Sequence, residues 1–140
     1  MDIMVDSSVW IDFFNYYKSE EADELQNLVE HNNVNNIFIC PTIYMEVLRG
    51  IKSDTAFYDV KETLLNFSIL NNDIMEITNN AINIYRMLRK KGITIRKQND
   101  CLIASYAIRN NIQVFHKDQD FELIAKETKV NNHHQRWRLD

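Results

Sequence analysis

At residues 3–10 the sequence reads Ile-Met-Val-Asp-Ser-Ser-Val-Trp, an apolar strand that runs directly into a helix. The first three residues predict a short buried strand that ends at Asp6. Ser7 or Ser8 is expected to cap the following helix, because a hydroxyl oxygen can accept a hydrogen bond from the free amides of a first helical turn. This direct succession of strand and helix indicates an α/β fold.

The rest of the chain continues the alternation. Short apolar runs predict three more strands, at residues 37–40, 67–70 and 113–116. Strands that are joined through helices lie parallel, and helices cover both faces of a parallel sheet. We therefore expect a three-layer α/β/α sandwich around a central parallel sheet. Apolar side chains at helical spacing predict its helices at residues 20–31, 41–49, 55–66, 74–91, 99–109 and 121–125.

Length and composition indicate one domain that spans residues 1–140 and folds in water. Hydrophobic residues make up 45% of the chain and charged residues 26%, as in globular proteins. No segment approaches the ~20 apolar residues that cross a bilayer, and acids stand where a signal peptide has basic residues, so we expect a cytoplasmic protein without a membrane partner. Cys40 and Cys101 lack CxxC spacing and are expected to be reduced core residues.

The C-terminal residues 131–140 are open to three interpretations: an edge strand, an RNA contact and a disordered end. A metal site is disfavoured there, because adjacent histidines in a strand face opposite sides. The side chains concerned are His133, His134, Arg136, Trp137 and Arg138.

The net charge of −4 argues against a protein that binds nucleic acid over its whole surface. A site that binds Mg²⁺ must itself be acidic, however, and the bound ion returns positive charge to the place where a phosphate would lie. An acidic balance therefore does not exclude a nuclease.

Four acids stand at positions that matter in such a fold. Asp6 and Asp118 follow predicted strands, and ligand sites of open α/β sheets lie outside the carboxyl ends of the strands. Asp100 falls in a first helical turn beside Asn99, a candidate cap; the alternative is that Asp100 serves only to stabilise the helix end. Glu46 lies on a helix that is apolar over most of its surface, where burial would require a cation partner.

Two longer motifs extend this pattern. Residues 94–104 read Thr-Ile-Arg-Lys-Gln-Asn-Asp-Cys-Leu-Ile-Ala, and residues 115–121 read Phe-His-Lys-Asp-Gln-Asp-Phe. Together with the strand-Asp-Ser-Ser segment and the Glu on the helix after the second strand, they resemble the PIN-domain family over residues 3 to about 125. Within that family, they are most similar to the VapC-type toxins of bacterial toxin–antitoxin pairs.

The resemblance implies an endoribonuclease that depends on Mg²⁺ or Mn²⁺ and leaves a 5′-phosphate and a 3′-hydroxyl. The acids that match the family's catalytic and metal-binding quartet are Asp6, Glu46, Asp100 and Asp118, and Asp120 matches an additional metal-binding acid. Two ions about 3.5 to 4 Å apart can activate water and stabilise the leaving oxygen, so no nucleophilic side chain is needed. None is recognisable in the sequence as a Ser-His-Asp or Cys-His motif.

Expected partners are RNA, a second copy of the chain and a cognate VapB-like antitoxin. Ser7, Arg96 and Lys97 are candidates for substrate binding, and the basic cluster at residues 86–91 is equally explained as a favourable helix end. His116 is expected to be a packed strand residue. Aromatic side chains on and after the first helix exceed what it can bury, which suggests a groove for an antitoxin helix; they are Trp10, Phe13, Phe14, Tyr16 and Tyr17.

Three alternatives stay open. A phosphoacceptor receiver domain also gathers acids around Mg²⁺, but it would need a lysine at the end of its last strand and no acid on the helix after its second. A non-catalytic module could use the acids for a structural ion. A PIN-type nuclease of RNA maturation or decay would keep the chemistry and change its biological role.

Overall fold

The computed structural model describes residues 2–16, 18–31 and 34–132. Five strands form one parallel sheet in the order β3-β2-β1-β4-β5. The strands are β1 (Ile3–Val5), β2 (Ile37–Ile39), β3 (Ser68–Ile69), β4 (Gln113–Phe115) and β5 (Asn131–Asn132). The helices are α1 (Ser7–Phe14), α2 (Glu20–His31), α3 (Pro41–Arg49), α4 (Asp54–Leu64), α5 (Ile74–Lys90), α6 (Gln98–Asn110) and α7 (Gln119–Glu127).

This architecture confirms the α/β fold with a central parallel sheet flanked by helices. β1 is the middle strand, and its three residues are at most 3% exposed. It pairs with β2 through Ile3 and Ile37 and with β4 through Val5 and Phe115. Such continuous burial explains why the strands read as apolar runs rather than as alternating patterns.

Parallel pairing brings the carboxyl ends of β1, β2 and β4 to one edge of the sheet. Asp6 follows β1, Cys40 follows β2 and His116 follows β4. The backbone amide of Asp6 donates a hydrogen bond to the carbonyl of Phe115 at 2.9 Å, so the pairing of the central strands extends to the first acid. Backbone hydrogen bonds between strands therefore fix the position of Asp6 at the edge of the sheet where acids were expected.

Two helix caps differ from the sequence predictions. α1 is capped by Asp6, whose carboxylate accepts a hydrogen bond from the amide of Ser8, and neither serine is the cap. α6 begins at Gln98 with Lys97 in the cap position and without a side-chain cap bond, so Asn99 lies inside the helix. At α1 the carboxylate of Asp6 takes the place of the serine hydroxyl that the capping rule predicts. At α6 the side chain of Asn99 donates to Glu46 instead of capping the helix.

Element boundaries differ by a few residues elsewhere. α7 is longer than predicted and begins at Gln119, because the carboxylate of Asp118 accepts a hydrogen bond from the amide of Asp120 at 2.9 Å and caps it. β5 supplies an edge strand at Asn131–Asn132, parallel to β4. The remaining residues of that prediction, 133–140, lie outside the described part of the chain, as does Tyr17.

Among residues 2–16, 18–31 and 34–132, no helix is both long and apolar enough to cross a bilayer.

Cys40 and Cys101 are buried free thiols, as predicted. Burial raises the pKa of Cys40 to about 12 and that of Cys101 to about 11, so both stay protonated at neutral pH.

Candidate functional site

Asp6 is fixed at the end of the central strand. Its side chain is 4% exposed, and Oδ2 accepts hydrogen bonds from the Ser8 hydroxyl at 2.6 Å and the Ser8 amide at 3.2 Å. Burial raises the pKa of Asp6, and the charge of Glu46 adds to the rise, while the bonds from Ser8 oppose it. The carboxyl group is thus held in one orientation beside a second acid.

Glu46 reaches the same edge of the sheet from α3. Its Oε1 accepts a hydrogen bond from the Ser7 hydroxyl at 3.0 Å, and its Oε2 accepts one from the side-chain amide of Asn99 at 3.2 Å. The side chain is half-buried, and these two neutral donors replace the cation partner that the sequence suggested. Donors from α1 and α6 therefore set the orientation of Glu46.

Asp100 is the most strongly perturbed acid. It is 3% exposed in the first turn of α6, and its Oδ2 has no hydrogen-bond partner among the described residues. Burial raises its pKa to about 8, and the charges of Asp6 and Asp118 contribute further. The start of a helix favours an ionised carboxylate, but in the metal-free protein burial and the neighbouring acids outweigh this effect on Asp100.

Asp118 and Asp120 lie at the start of α7. Oxygen atoms of Asp100, Asp118 and Asp120 all lie within 4.8 Å of one another. The segment before α6 supplies counterions, because Lys97 Nζ lies 3.3 Å from Asp118 Oδ2 and Arg96 Nε lies 3.7 Å from Asp120 Oδ2. These three acids form a compact cluster that two basic side chains partly neutralise.

One pocket of about 610 Å³ joins these groups. Four predicted acids from four separate segments line it. Asp120 is not among the lining residues but clusters with Asp100 and Asp118. The candidate substrate residues also line it. The residues around the pocket are Asp6, Ser7, Ser8, Ile11, Glu46, Arg49, Arg96, Lys97, Gln98, Asn99, Asp100 and Asp118.

The pocket fits a hard divalent ion. Its donors are carboxylate oxygens, the atoms that Mg²⁺ and Mn²⁺ prefer. The buried Oδ2 of Asp100 is an acceptor without a partner among the described residues, and such an atom is costly to bury unless a cation or another donor reaches it. The mutual repulsion of acids this close is likewise relieved by positive charge.

Three contacts in the site are absent from the sequence predictions. The bonds from Ser8 to Asp6 and from Asn99 to Glu46 involve residues that were assigned to helix capping, and the lysine at the cap position of α6 pairs with Asp118. Asn99 and Glu46 are 53 positions apart, so no local pattern could indicate their contact. In the sequence, only the position of Asn99 directly before Asp100 could have indicated a role for Asn99 in the site.

Other candidates lie away from the pocket. His116 is fully buried after β4, where its ring packs on Phe121 at 5.0 Å and Nδ1 accepts a bond from the Asp118 amide. In the basic cluster at residues 86–91, Lys91 pairs with Glu127 and Arg89 lies over the ring of Tyr85. No residue of that cluster is among the described residues that line the acidic pocket.

Comparisons with known proteins agree with this geometry. A model of the PIN domain matches residues 3–127. Ribonuclease VapC11 of Mycobacterium tuberculosis is 34% identical over 128 residues, which cover 91% of this chain and 95% of the relative. The match to the PIN-domain family decides against a receiver domain.

Solved structures share the fold. The VapBC2 complex of Rickettsia felis, bound to a DNA fragment from its promoter, has a TM-score of 0.73 at 20% identity and covers 95% of this chain and 98% of that chain. A toxin–antitoxin complex from Klebsiella pneumoniae has a TM-score of 0.65 at 20% identity, with 84% and 87% covered. The chain therefore belongs to the PIN-domain family, in the branch of the VapC ribonucleases.

Proposed function

We propose that this chain is an endoribonuclease dependent on Mg²⁺ or Mn²⁺ and the cytoplasmic toxin of a type II toxin–antitoxin pair. The observation that carries the proposal is the pocket in which Asp6, Glu46, Asp100 and Asp118 meet from four separate segments. Relatives at 34% identity bear the name of VapC ribonucleases, which supports the same reaction for this chain.

Asp6, Glu46, Asp100 and Asp118 would hold the metal, with Asp120 completing the cluster. When bound, the ion would offset the charge of the acids and activate a water molecule for attack on phosphorus. The residues around it provide orientation. Ser8 fixes Asp6, and Ser7 together with Asn99 fixes Glu46, so little side-chain reorganisation is needed when substrate arrives.

The RNA backbone would approach across the basic rim of the pocket. Arg96 and Lys97 are exposed and line the pocket beside the acids. Their positive charges suit phosphate groups, whereas the protein as a whole is acidic. This arrangement confines attraction of RNA to the place where cleavage would occur.

A second, apolar groove beside the acidic pocket would receive the antitoxin, and Ile11 lines both. It measures about 300 Å³ and lies where α1 meets the end of α3 and the start of α4, with Ile11, Phe14, Val47 and Ile51 among its lining residues. Such a groove suits the apolar face of a helix. Structures of toxin–antitoxin complexes with the same fold support this partner. We further propose that the chain pairs with a second copy of itself in such a hetero-oligomer.

Not all of the aromatic side chains near α1 are available for a partner. Trp10 is fully buried and stacks on Phe14 with a centroid distance of 5.6 Å, so these rings belong largely to the core. Tyr16 is 93% exposed. The surplus of aromatic surface inferred from the sequence is therefore smaller than expected, and Phe14 is the aromatic side chain that lines the groove.

The decisive experiment is RNA cleavage by the purified chain with Mg²⁺ or Mn²⁺, followed by sequencing of the new RNA ends. We expect cleavage that stops on chelation and in Asp6→Asn, while folding by circular dichroism is retained. Asp54→Asn is the matched control, because it makes the same change at an exposed acid on α4. Metal-independent cleavage, or full activity of Asp6→Asn, would overturn the proposal.

The toxin role needs its own experiment. Expression of the chain alone is expected to arrest growth, and co-expression with the neighbouring small open reading frame is expected to restore it. Arrest that depends on Asp6 but is not relieved by any neighbouring frame would instead favour a nuclease of RNA maturation or decay.

A further inference from the structure

The acids of the pocket already have a cation from within the chain. Lys97 Nζ lies 3.3 Å from Asp118 Oδ2 and donates a hydrogen bond to it. Asp118 is also one of the three acids whose oxygens lie within 4.8 Å of one another. A lysine ammonium therefore neutralises part of the same cluster that a divalent ion would occupy.

The ion pair between Lys97 and Asp118 can be replaced by a bond between Asp118 and a metal ion. Its side chain is 62% exposed, whereas that of Asp118 is 12% exposed, so the lysine can leave without disturbing the core. Burial alone would lower the pKa of Lys97, but the charge of Asp118 raises it above its ordinary value, and the ammonium stays charged at neutral pH. An ion pair with one exposed partner is screened and costs side-chain entropy, so it is weaker than chelation by several carboxylates.

Arg96 differs from its neighbour. Its guanidinium lies 3.7 Å from Asp120 Oδ2, beyond hydrogen-bond distance, and its backbone amide donates to the same oxygen at 3.3 Å. Asp118 accepts a backbone bond from the Asp120 amide at Oδ1, and its Oδ2 accepts a bond from the Lys97 ammonium. Of the two basic side chains, Lys97 is thus the one that donates a hydrogen bond to its acid, and its departure frees Asp118 Oδ2.

The displaced ammonium would have space beside the pocket. Lys97 lines both the acidic pocket and a shallow adjoining cleft of about 330 Å³. Arg96, Lys117 and Asp118 line the same cleft, so the ammonium stays within reach of the pocket's acidic edge there. A lysine side chain, with its flexible four-carbon stem, can exchange between these two neighbouring positions without backbone movement.

We propose that Lys97 is an internal counterion that occupies Asp118 in the metal-free protein and competes with the divalent ion for that carboxylate. The inference rests on the proposed function, since it takes the pocket to be the metal site. Metal binding then releases Lys97 toward the RNA backbone, and the side chain is withheld from RNA while the metal is absent. Binding of metal and binding of substrate are coupled through one residue.

The test is titration of the metal-free, full-length chain with Mn²⁺ by isothermal calorimetry, without RNA. Lys97→Met removes the competitor and is expected to tighten Mn²⁺ binding about fivefold, in line with the strength of a half-exposed ion pair. Lys97→Arg retains a cation for Asp118 and is expected to stay within about twofold of the wild type.

Arg49→Met is the matched control for charge. Arg49 lines the same pocket and has no ion pair within the described part of the chain, so its loss changes the local potential without freeing an acid. We expect a change below about twofold, because an exposed charge acts through screened solvent. Equal tightening by Arg49→Met and Lys97→Met, or no tightening by Lys97→Met, would overturn the proposal.

The outcomes separate this inference from the proposed function. If the wild type binds Mn²⁺ and cleaves RNA while Lys97→Met binds Mn²⁺ no more tightly, only the counterion role is wrong. If the wild type binds no Mn²⁺, both the counterion role and the metal-dependent reaction are wrong.

Discussion

Asp100 has a buried carboxyl group that the protein stabilises poorly on its own. It is 3% exposed and has an oxygen without a partner among the described residues, and the acids around it oppose its ionisation. Sites that perform chemistry commonly keep groups in such unfavourable surroundings. Without a metal, the charge on Asp100 is therefore a source of instability.

In metal-free protein, Asp100 makes stability depend on pH. Its pKa is about 8 when folded, against an ordinary value of 3.8 for a free aspartic acid side chain, so the folded state binds more protons between these limits. The contribution of Asp100 to stability is therefore fully present below the lower limit and is lost as pH rises toward the upper one, by up to about 1.4 kcal/mol per pH unit. Asp100→Asn removes this loss, and its free energy of unfolding should exceed that of the wild type by more at pH 8 than at pH 5.

Urea denaturation in the presence of a chelator measures this difference. Asp54→Asn, at an exposed acid on α4, should show no comparable dependence on pH. A difference between Asp100→Asn and wild type that stays constant from pH 5 to pH 8 would show that Asp100 ionises normally.

Asn99 is a positioning residue for Glu46. Loss of its side-chain amide in Asn99→Ala leaves Glu46 Oε2 without this donor and should lower RNA cleavage about tenfold, in the range seen when supports of metal ligands are removed. Gln98→Ala is the control, because Gln98 is exposed and lines the same pocket. Cleavage rates of the two variants, compared at equal thermal stability, check the prediction; equal losses would contradict it.

At the scale of elements, the ends of helices decide local stability. α5 is followed by Gly92, whose φ of +81° favours glycine, while Gly50 after α3 has a φ of −89°. Gly92→Ala should therefore lower the free energy of unfolding by about 1 kcal/mol. Gly50→Ala meets no atom within 4 Å and should be neutral or slightly stabilising. Chemical denaturation of the two variants provides the comparison.

The elements also show what a sequence can and cannot indicate. Apolar runs and helical spacing predicted β1, β2 and β4 and the helices between them, because those signals are local. Acids after β1 and β4 indicated the edge of the sheet that bears the pocket. The contacts Asn99–Glu46 and Lys97–Asp118 could not be predicted, since they join residues 53 and 21 positions apart and depend on the completed fold. A capping rule offered a simpler role for Asn99, and it was wrong.

For the whole molecule, binding of metal should act as a stabilising ligand. An ion that binds the folded chain alone raises the free energy of unfolding by about 2.7 kcal/mol at one hundred times its dissociation constant. We expect Mg²⁺ or Mn²⁺ to raise the melting temperature of the wild type and to do so far less in Asp100→Asn. Matched concentrations of KCl control for ionic strength, and an equal rise in both proteins would place the ion elsewhere.

The order of the sheet has a consequence for synthesis. β1 lies near residue 3, yet one of its two neighbours is β4, which begins more than one hundred positions later at Gln113. A growing polypeptide thus cannot assemble the pocket until translation has passed Asp118. Under the proposed function, a nascent chain would not cleave the RNA around it before that point, and an antitoxin made at the same time would be ready when the finished chain is released.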